Sequence, residues 1–186
     1  IKDQAESRKR SDRQLDDSYK YLGIINRRIS ILLELTKQQK TKGGQQKSAD
    51  RVLSLAANLS GASSAFLYRS VGKGNFNLVS SQGIGKEKRE TIAVISAKSM
   101  TLLKYLLKEK AQVAGDIKQF KADLLRLNEK VNYFVTLPLT KGKVLEGFIF
   151  LGFDEKQKLE NEDQDFLDVF AIHASTALSK SGVLKK

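Results

Sequence analysis

The first regularly spaced apolar positions start at Leu15. Leu15, Leu22 and Ile29 lie seven apart, and Ile25 and Leu32 follow the latter two by three. That spacing predicts a helix over 15–40 with an a/d seam about two and a half heptads long. Tyr21, Ile24, Ile31 and Leu35 form a second stripe on a neighbouring face, interrupted by Arg28. Two apolar faces call for two partners, a sister helix in a homodimer and this chain's own globular part. A plain amphipathic core helix is the simpler alternative. Residues 1–14 are almost wholly polar, either the solvated continuation of an upstream helix or a frayed end. Gly43 and Gly44 in KTKGGQQKS end the helix near Lys40.

Further along, Ser48 reads as the N-cap of a second helix with Asp50 in its first turn. Its buried stripe is Val52, Leu55, Ala56 and Leu59, and Gly61 closes it. SSAFLYRSV (63–71) and NFNLVSSQG (75–83) are strand-like and joined by the turn Gly72-Lys73-Gly74. Residues 86–110 read as helical, with Ile92, Ile95, Ser99, Leu102 and Leu106 on one face. A short strand over 111–117 and a helical turn or two over 122–128 follow. VNYFVTLPL and VLEGFIFLGF then form a second hairpin across Lys141-Gly142-Lys143. These two strands are apolar on both faces, so the sheet is expected to be covered on both sides. Pro138 belongs near a strand end or bulge, since it has no N–H to donate. The last helix, 162–180, starts with Glu162, Asp163 and Asp165 at its positive end, where Asn161 or a neighbour can cap it. Phe166, Leu167, Phe170, Ala174, Ala177 and Leu178 are its buried stripe. The expected fold is α/β (α+β): a twisted, mainly antiparallel sheet between helical layers, plus an N-terminal helix.

Composition narrows the chemistry. With no Cys, disulfides, thiolate metal sites and cysteine nucleophiles are excluded. One His, His173, allows neither a multi-histidine metal site nor a relay. No apolar run of about 18 residues occurs, so no membrane-crossing helix is expected. The chain starts at Ile1 and reads as an excerpt of a longer protein, and a charged helix such as 1–20 would suit a place after an upstream membrane helix. The net charge of +12 is uneven. Residues 69–148 carry fifteen Lys/Arg against seven Asp/Glu, whereas residues 149–186 carry five against seven. A basic middle fits nucleic acid, anionic headgroups or an acidic partner, and equally a solvated lysine-rich surface.

The element order and the stretch YFVTLPLTKGKVLEGFIFLGFDEKQKLENEDQDFLDVFAIHASTALS (133–179) resemble the GAF family of small-molecule sensory domains. The resemblance spans roughly residues 48–180. It implies a ligand cavity between the sheet and a helical cover formed by about residues 84–130, and a homodimer in which helices 15–40 and 162–180 pack beside their counterparts. It also implies an effector outside this chain. A covalent bilin and the family's methionine sulfoxide reductase chemistry both need cysteines that are absent here. The family's cyclic-nucleotide pattern is broken. Phe150 with Asp154-Glu155 has the right spacing in the wrong place, and Phe153-Asp154 stands where Asn-Lys is required.

The remaining constellations add little. His173 fits a pH-sensitive dimer contact or, more simply, a partly buried polar residue at a helix interface. Asp154, Glu155, Glu160, Glu162, Asp163, Asp165 and Asp168 lack the alternation and central Gly of a calcium loop. SQGIGKEK (81–88) has too few glycines and no Lys-Ser/Thr pair for a phosphate loop. Tyr68, Tyr105 and Tyr133 are the candidate ligand-lining polar tips, chosen by element position. Lys104, Lys108, Lys110, Lys118, Lys121 and Arg126 lie on or beside the expected cover. The reading is therefore a helix for signalling or dimerisation (1–40), a linker (41–47), a sensory domain (48–180) and a tail (181–186). As a regulatory module in the cytoplasm it has no catalytic residues, metal or cofactor, and a small-molecule ligand of unknown identity. Two alternatives stand beside it: a ligand-free structural dimerisation module whose cavity its own side chains fill, and a basic nucleic-acid-binding protein.

Overall fold

The computed structural model describes residues 2–37, 44–155 and 159–184. The chain divides after Glu34 into two units. The first carries nearly all of α1 (Lys2–Lys37), an unbroken helix about 54 Å long at 1.5 Å per residue. The helix thus begins well before Leu15, and the polar residues from Lys2 are its first turns. Its predicted end near Lys40, and Gly43, lie outside the described residues. Leu15, Leu22 and Ile29 of the seam are each about half exposed, and Ile25 and Leu32 are half-buried.

The second unit begins with α2 (Gln45–Ser60). Ser48 is not its cap. Gly44 holds the N-cap position in an extended conformation, and the Ser48 N–H donates to Gly44 O inside the first turn. Gln46 anchors this early start, donating to Asp50 Oδ1 and to Val79 O. The buried stripe is Ala49, Val52, Leu53, Ala56 and Ala57, with Leu55 and Leu59 half-buried. Gly61 closes the helix in the left-handed conformation at φ 73°.

Strands β1 (Ser64–Gly72) and β2 (Asn75–Gln82) form the first hairpin. Lys73 and Gly74 both have positive φ, 53° and 74°, the geometry that matches strand twist in a two-residue loop. The predicted single helix over 86–110 is instead three elements: α3 (Lys86–Thr91), β3 (Val94–Ser96) and α4 (Thr101–Glu109). The β-branched residues Ile92, Val94 and Ile95 favour extension, and β3 pairs with Asn75–Asn77 of β2. Ile92, Ile95, Leu102 and Leu106 are buried as expected, but Ser99 is exposed. Strand β4 (Val113–Asp116), a 3-10 turn (Ile117–Phe120) and α5 (Lys121–Leu127) follow. The second hairpin is β5 (Tyr133–Lys141) and β6 (Val144–Phe153), and α6 (Asn161–Lys180) ends the regular structure, with Glu160 at its N-cap position. Pro138 faces Phe148 inside β5, beyond the β4 pairing that stops at Thr136 and next to a bulge at Leu139/Thr140. The edge-like position tolerates its missing N–H.

The six strands form one sheet in the order β3-β2-β1-β6-β5-β4, every pairing antiparallel. Register divides the side chains between two faces. Phe66 opposite Phe150 and Tyr68 opposite Phe148 share one face, while Ala65 opposite Leu151 and Leu67 opposite Ile149 share the other. The aliphatic face packs under α2 and α6. The aromatic face lies under the segment from α3 to α5.

Candidate functional site

The space expected to hold a ligand lies between the aromatic face and its cover. The strand alternation in AFLY (65–68) and GFIF (147–150) aims Phe66, Tyr68, Phe148 and Phe150 into it. Phe66 stacks on Phe150 at 5.5 Å, and Phe150 stacks on Phe134 at 6.0 Å with the rings 5° apart. Phe120 meets Phe134 edge-on at 5.9 Å. A second group joins Tyr68 to Phe148 at 5.0 Å and Phe148 to Phe76 at 5.3 Å. From the cover come Ile92, Ile95, Met100, Leu102, Leu103, Leu106, Leu124 and Leu127, all buried in the same cluster. Centroid separations of this size are those of packed aromatic pairs. The strand rings line the sheet side of this space and pack on one another, and Phe120 packs on Phe134.

The three candidate tyrosines do not converge. Tyr68 is fully buried, and its hydroxyl donates to Ile92 O at 3.0 Å. Burial pushes its phenol well above the ordinary range, and the charge of Arg126 opposes that shift. Tyr105 is 43% exposed and sets its ring edge on Phe120 at 6.3 Å, so it stands at the outer rim of the cover. Alternation along β5 sends Tyr133 to the face opposite Phe134, where it tilts on Phe153 at 5.8 Å. Burial raises its phenol too, and a hydrogen bond with the Leu159 backbone opposes the rise.

Sequence reasoning missed three polar residues. Asp123 is 7% exposed in α5, and its Oδ2 accepts the Leu102 N–H of α4 at 2.7 Å. It thereby caps a neighbouring helix rather than its own. Asn128 is buried, donates to Ser64 Oγ at 3.1 Å and accepts the Lys130 N–H. Arg69, on the aliphatic side of β1, donates to Val183 O at 3.3 Å. An acid inside ADLLRL is the one sequence signal that pointed to a buried cap. The other two depend on pairings distant in the chain.

Surface clefts among the described residues flank the sheet. One of about 680 Å³ follows the outer edge of β2, where Ser80 donates to Asp50 Oδ1 at 2.6 Å and Arg89 Nε to Ser81 Oγ at 2.8 Å. Another, about 360 Å³, lies between the β5–β6 hairpin and the end of α6, and includes Glu146, Ser175, Ser179 and Leu184. Lys104, Lys108, Lys110, Lys118, Lys121 and Arg126 are exposed on the cover, and His173 is half-buried. Among the described residues no group of three or more His, Asp or Glu is placed to hold a metal ion, and no helix is long and apolar enough to cross a membrane.

Residues 45–180 match a sequence profile described as GAF domain. No curated protein matches the sequence. Similar solved structures share the fold at low identity. The GAF domain of an Acinetobacter phosphoenolpyruvate-protein phosphotransferase is 12% identical, with TM-score 0.66 over 85% of this chain and 96% of that one. The phycoerythrobilin-bound GAF domain of a cyanobacterial phytochrome is 12% identical, with TM-score 0.68 over 84% and 96%. A GAF domain/HD domain protein from Geobacter sulfurreducens is 13% identical, with TM-score 0.64 over 80% and 98%.

Proposed function

This chain belongs to the GAF domain family, and on that premise we propose that it is a non-catalytic regulatory module of a cytoplasmic signal-transduction protein. It homodimerises through Leu15, Leu22, Ile25, Ile29 and Leu32 of α1 and relays a signal through α1 and α6 to an effector elsewhere in the protein. In a membrane-anchored protein, α1 would follow the anchor. The family match over residues 45–180 carries this reading. The half-exposed seam residues on α1 support the dimer, since a soluble helix seldom leaves a regular apolar stripe in water. The relay needs only a few kcal/mol of difference between two helix packings.

A second reading concerns the ligand, and the ring packing favours it. Phe66, Phe134 and Phe150 stack through the space in question, so a ligand there would have to displace rings that hold one another. In this reading the module is structural, and its input is a partner's state rather than a bound molecule. The phytochrome neighbour is bilin-bound, but this chain offers no cysteine for a thioether link.

Thermal unfolding against cyclic nucleotides, other nucleotides, amino acids, organic acids and short DNA separates these readings, with light scattering on wild type and Leu22→Asp alongside. A ligand at a hundred times its Kd adds about 2.7 kcal/mol. One specific hit establishes a small-molecule sensor, and silence with a dimer that Leu22→Asp dissolves establishes the structural module. A wild type that stays monomeric at every concentration removes the dimer. A shift from DNA alone that vanishes in salt replaces the whole reading with nucleic-acid binding.

A further inference from the structure

Helix α6 does not simply fray at Lys180. Gly182 adopts φ 83°, the Gly182 N–H donates to Ser179 O, and the Val183 N–H donates to Leu178 O at 2.9 Å. These turns fold residues 181–184 back on the domain, where Val183 is 1% and Leu184 3% exposed. Gly147 of β6, opposite Arg69 in the register, leaves a notch on the aliphatic face. A Cβ at Gly147 would lie 3.2 Å from Leu184 Cδ2. Arg69 closes the arrangement by donating to Val183 O. Gly182 in turn abuts the Gln45 side chain at the start of α2.

Arg69 is the chain neighbour of Tyr68, and the two point to opposite faces of β1. Tyr68 is tied into the aromatic core through Phe148 and Ile92 O. Two register irregularities, at Leu67/Tyr68 and at Ser70/Gly72, bracket this pair. The first leaves Val79 of β2 unpaired in the ladder and the second Val71 of β1. Bulges locally loosen a ladder and re-aim its side chains, so the Tyr68–Arg69 step is held chiefly by its regular pairing with Phe148 and Gly147 of β6.

We propose that residues 181–184 form a releasable strap, held by Arg69 and the Gly147 notch, whose docking reports the packing of the aromatic core through the Tyr68–Arg69 step of β1. The proposal rests on the regulatory reading for its purpose and supplies that reading with an internal relay. Opening frees Val183 and Leu184 and removes the backbone turns that stop α6, while the sheet stays intact. Core packing that shifts Tyr68 would loosen the strap, and a docked strap would favour the packed core.

The test is amide hydrogen exchange on the full chain in wild type, Arg69→Gln and Tyr68→Phe. Arg69→Gln removes the clasp, and Tyr68→Phe removes only the hydroxyl on the other face. Both are expected to speed exchange at Val183 roughly fivefold, the effect of one lost hydrogen bond, with the α6 amides from Phe170 to Ala174 unchanged. Strap exchange that responds to Arg69→Gln but stays at the wild-type rate in Tyr68→Phe overturns the coupling. Exchange at Val183 already as fast as in an unfolded peptide in wild type overturns the strap itself. Should Tyr68→Phe speed exchange throughout α6, Phe148→Leu, which keeps the Tyr68 hydroxyl and perturbs the same face, decides, and the strap must then open ahead of α6. A module that neither dimerises nor binds ligand would leave these exchange results standing, so the two ideas fail separately.

Discussion

Phe150 is the residue through which two ring stacks pass, and truncating it measures how tightly the aromatic chamber is filled. Its side chain is fully buried, stacked on Phe66 at 5.5 Å and on Phe134 at 6.0 Å. Phe→Ala in a core costs about 3–5 kcal/mol through lost transfer energy and the cavity left behind. Each ring pair adds about 0.5–1.5 kcal/mol beyond its area, so Phe150→Ala belongs near the top of that range, about 4–5 kcal/mol. Domains of 150–250 residues lose about 2–4 °C per kcal/mol, which gives a fall in Tm of roughly 8–20 °C. Urea unfolding followed by circular dichroism gives the free energy, and a heating scan gives the Tm. The vacated space is lined by Phe66, Phe134 and Thr136, all buried, so benzene or indole should bind it and restore part of the loss, as small apolar molecules do in engineered apolar cavities. A loss below about 1.5 kcal/mol, within the range of a minor core trim, would mean that the rings are not mutually packed. The chamber would then be open to a ligand, contrary to the structural reading.

Asp123→Ala strands the Leu102 N–H at the buried start of α4 and should cost about 1.5–3 kcal/mol, with Asp123→Asn milder because an acceptor remains. Chemical denaturation of the pair checks this, and equal losses would mean that the carboxylate charge, not the acceptor alone, carries the effect. Gly23 has open space around its missing Cβ and sits in the middle of α1, so Gly23→Ala should raise helix stability by about 0.5–1 kcal/mol, read as a higher helical signal on heating. Burial, and next the like charge of Asp165, raise the pKa of Asp168. A raised folded pKa means the native state holds more protons, so this contribution to stability falls as pH rises from the ordinary aspartate range through the raised value. Asp165→Asn should bring the Asp168 titration, followed by NMR, back toward the ordinary range and flatten that decline. An unchanged titration would leave desolvation as the sole cause.

Most of the architecture was legible because it follows from local periodicity. The strand-like apolar runs 63–71 and 144–153, the glycine turns and the apolar stripes of the terminal helices need no knowledge of distant contacts. The misjudged region 86–110 shows where such reasoning runs out. Ile92, Ile95, Leu102 and Leu106 satisfy a helical spacing and also a turn–strand–helix path that buries all four. The pairing of Val94–Ser96 with β2 decides between these, and that partner lies about twenty residues upstream. The start of α2 was set by Gln46, whose amide finds Val79 O across the fold. No capping rule read along the chain contains that contact.

The candidate site was less legible, for a related reason. Element position put Tyr68, Tyr105 and Tyr133 in a common neighbourhood, but side-chain direction decides which face a strand residue serves. Tyr133 is one residue out of phase with Phe134 and so belongs to the opposite side of the sheet. Tyr105 shares its exposed helix face with Lys104 and Lys108 rather than with the buried Leu102 and Leu106. What the period-2 pattern did contain, in the phenylalanines of AFLY and GFIF, was the chemistry of the chamber: rings facing rings across β1 and β6. A pocket built to exchange a polar ligand needs convergent donors or acceptors, yet the buried hydroxyl of Tyr68 is already committed to Ile92 O. Any ligand of this face must therefore either be apolar enough to replace a ring or displace the cover that Asp123 pins from α5 to α4.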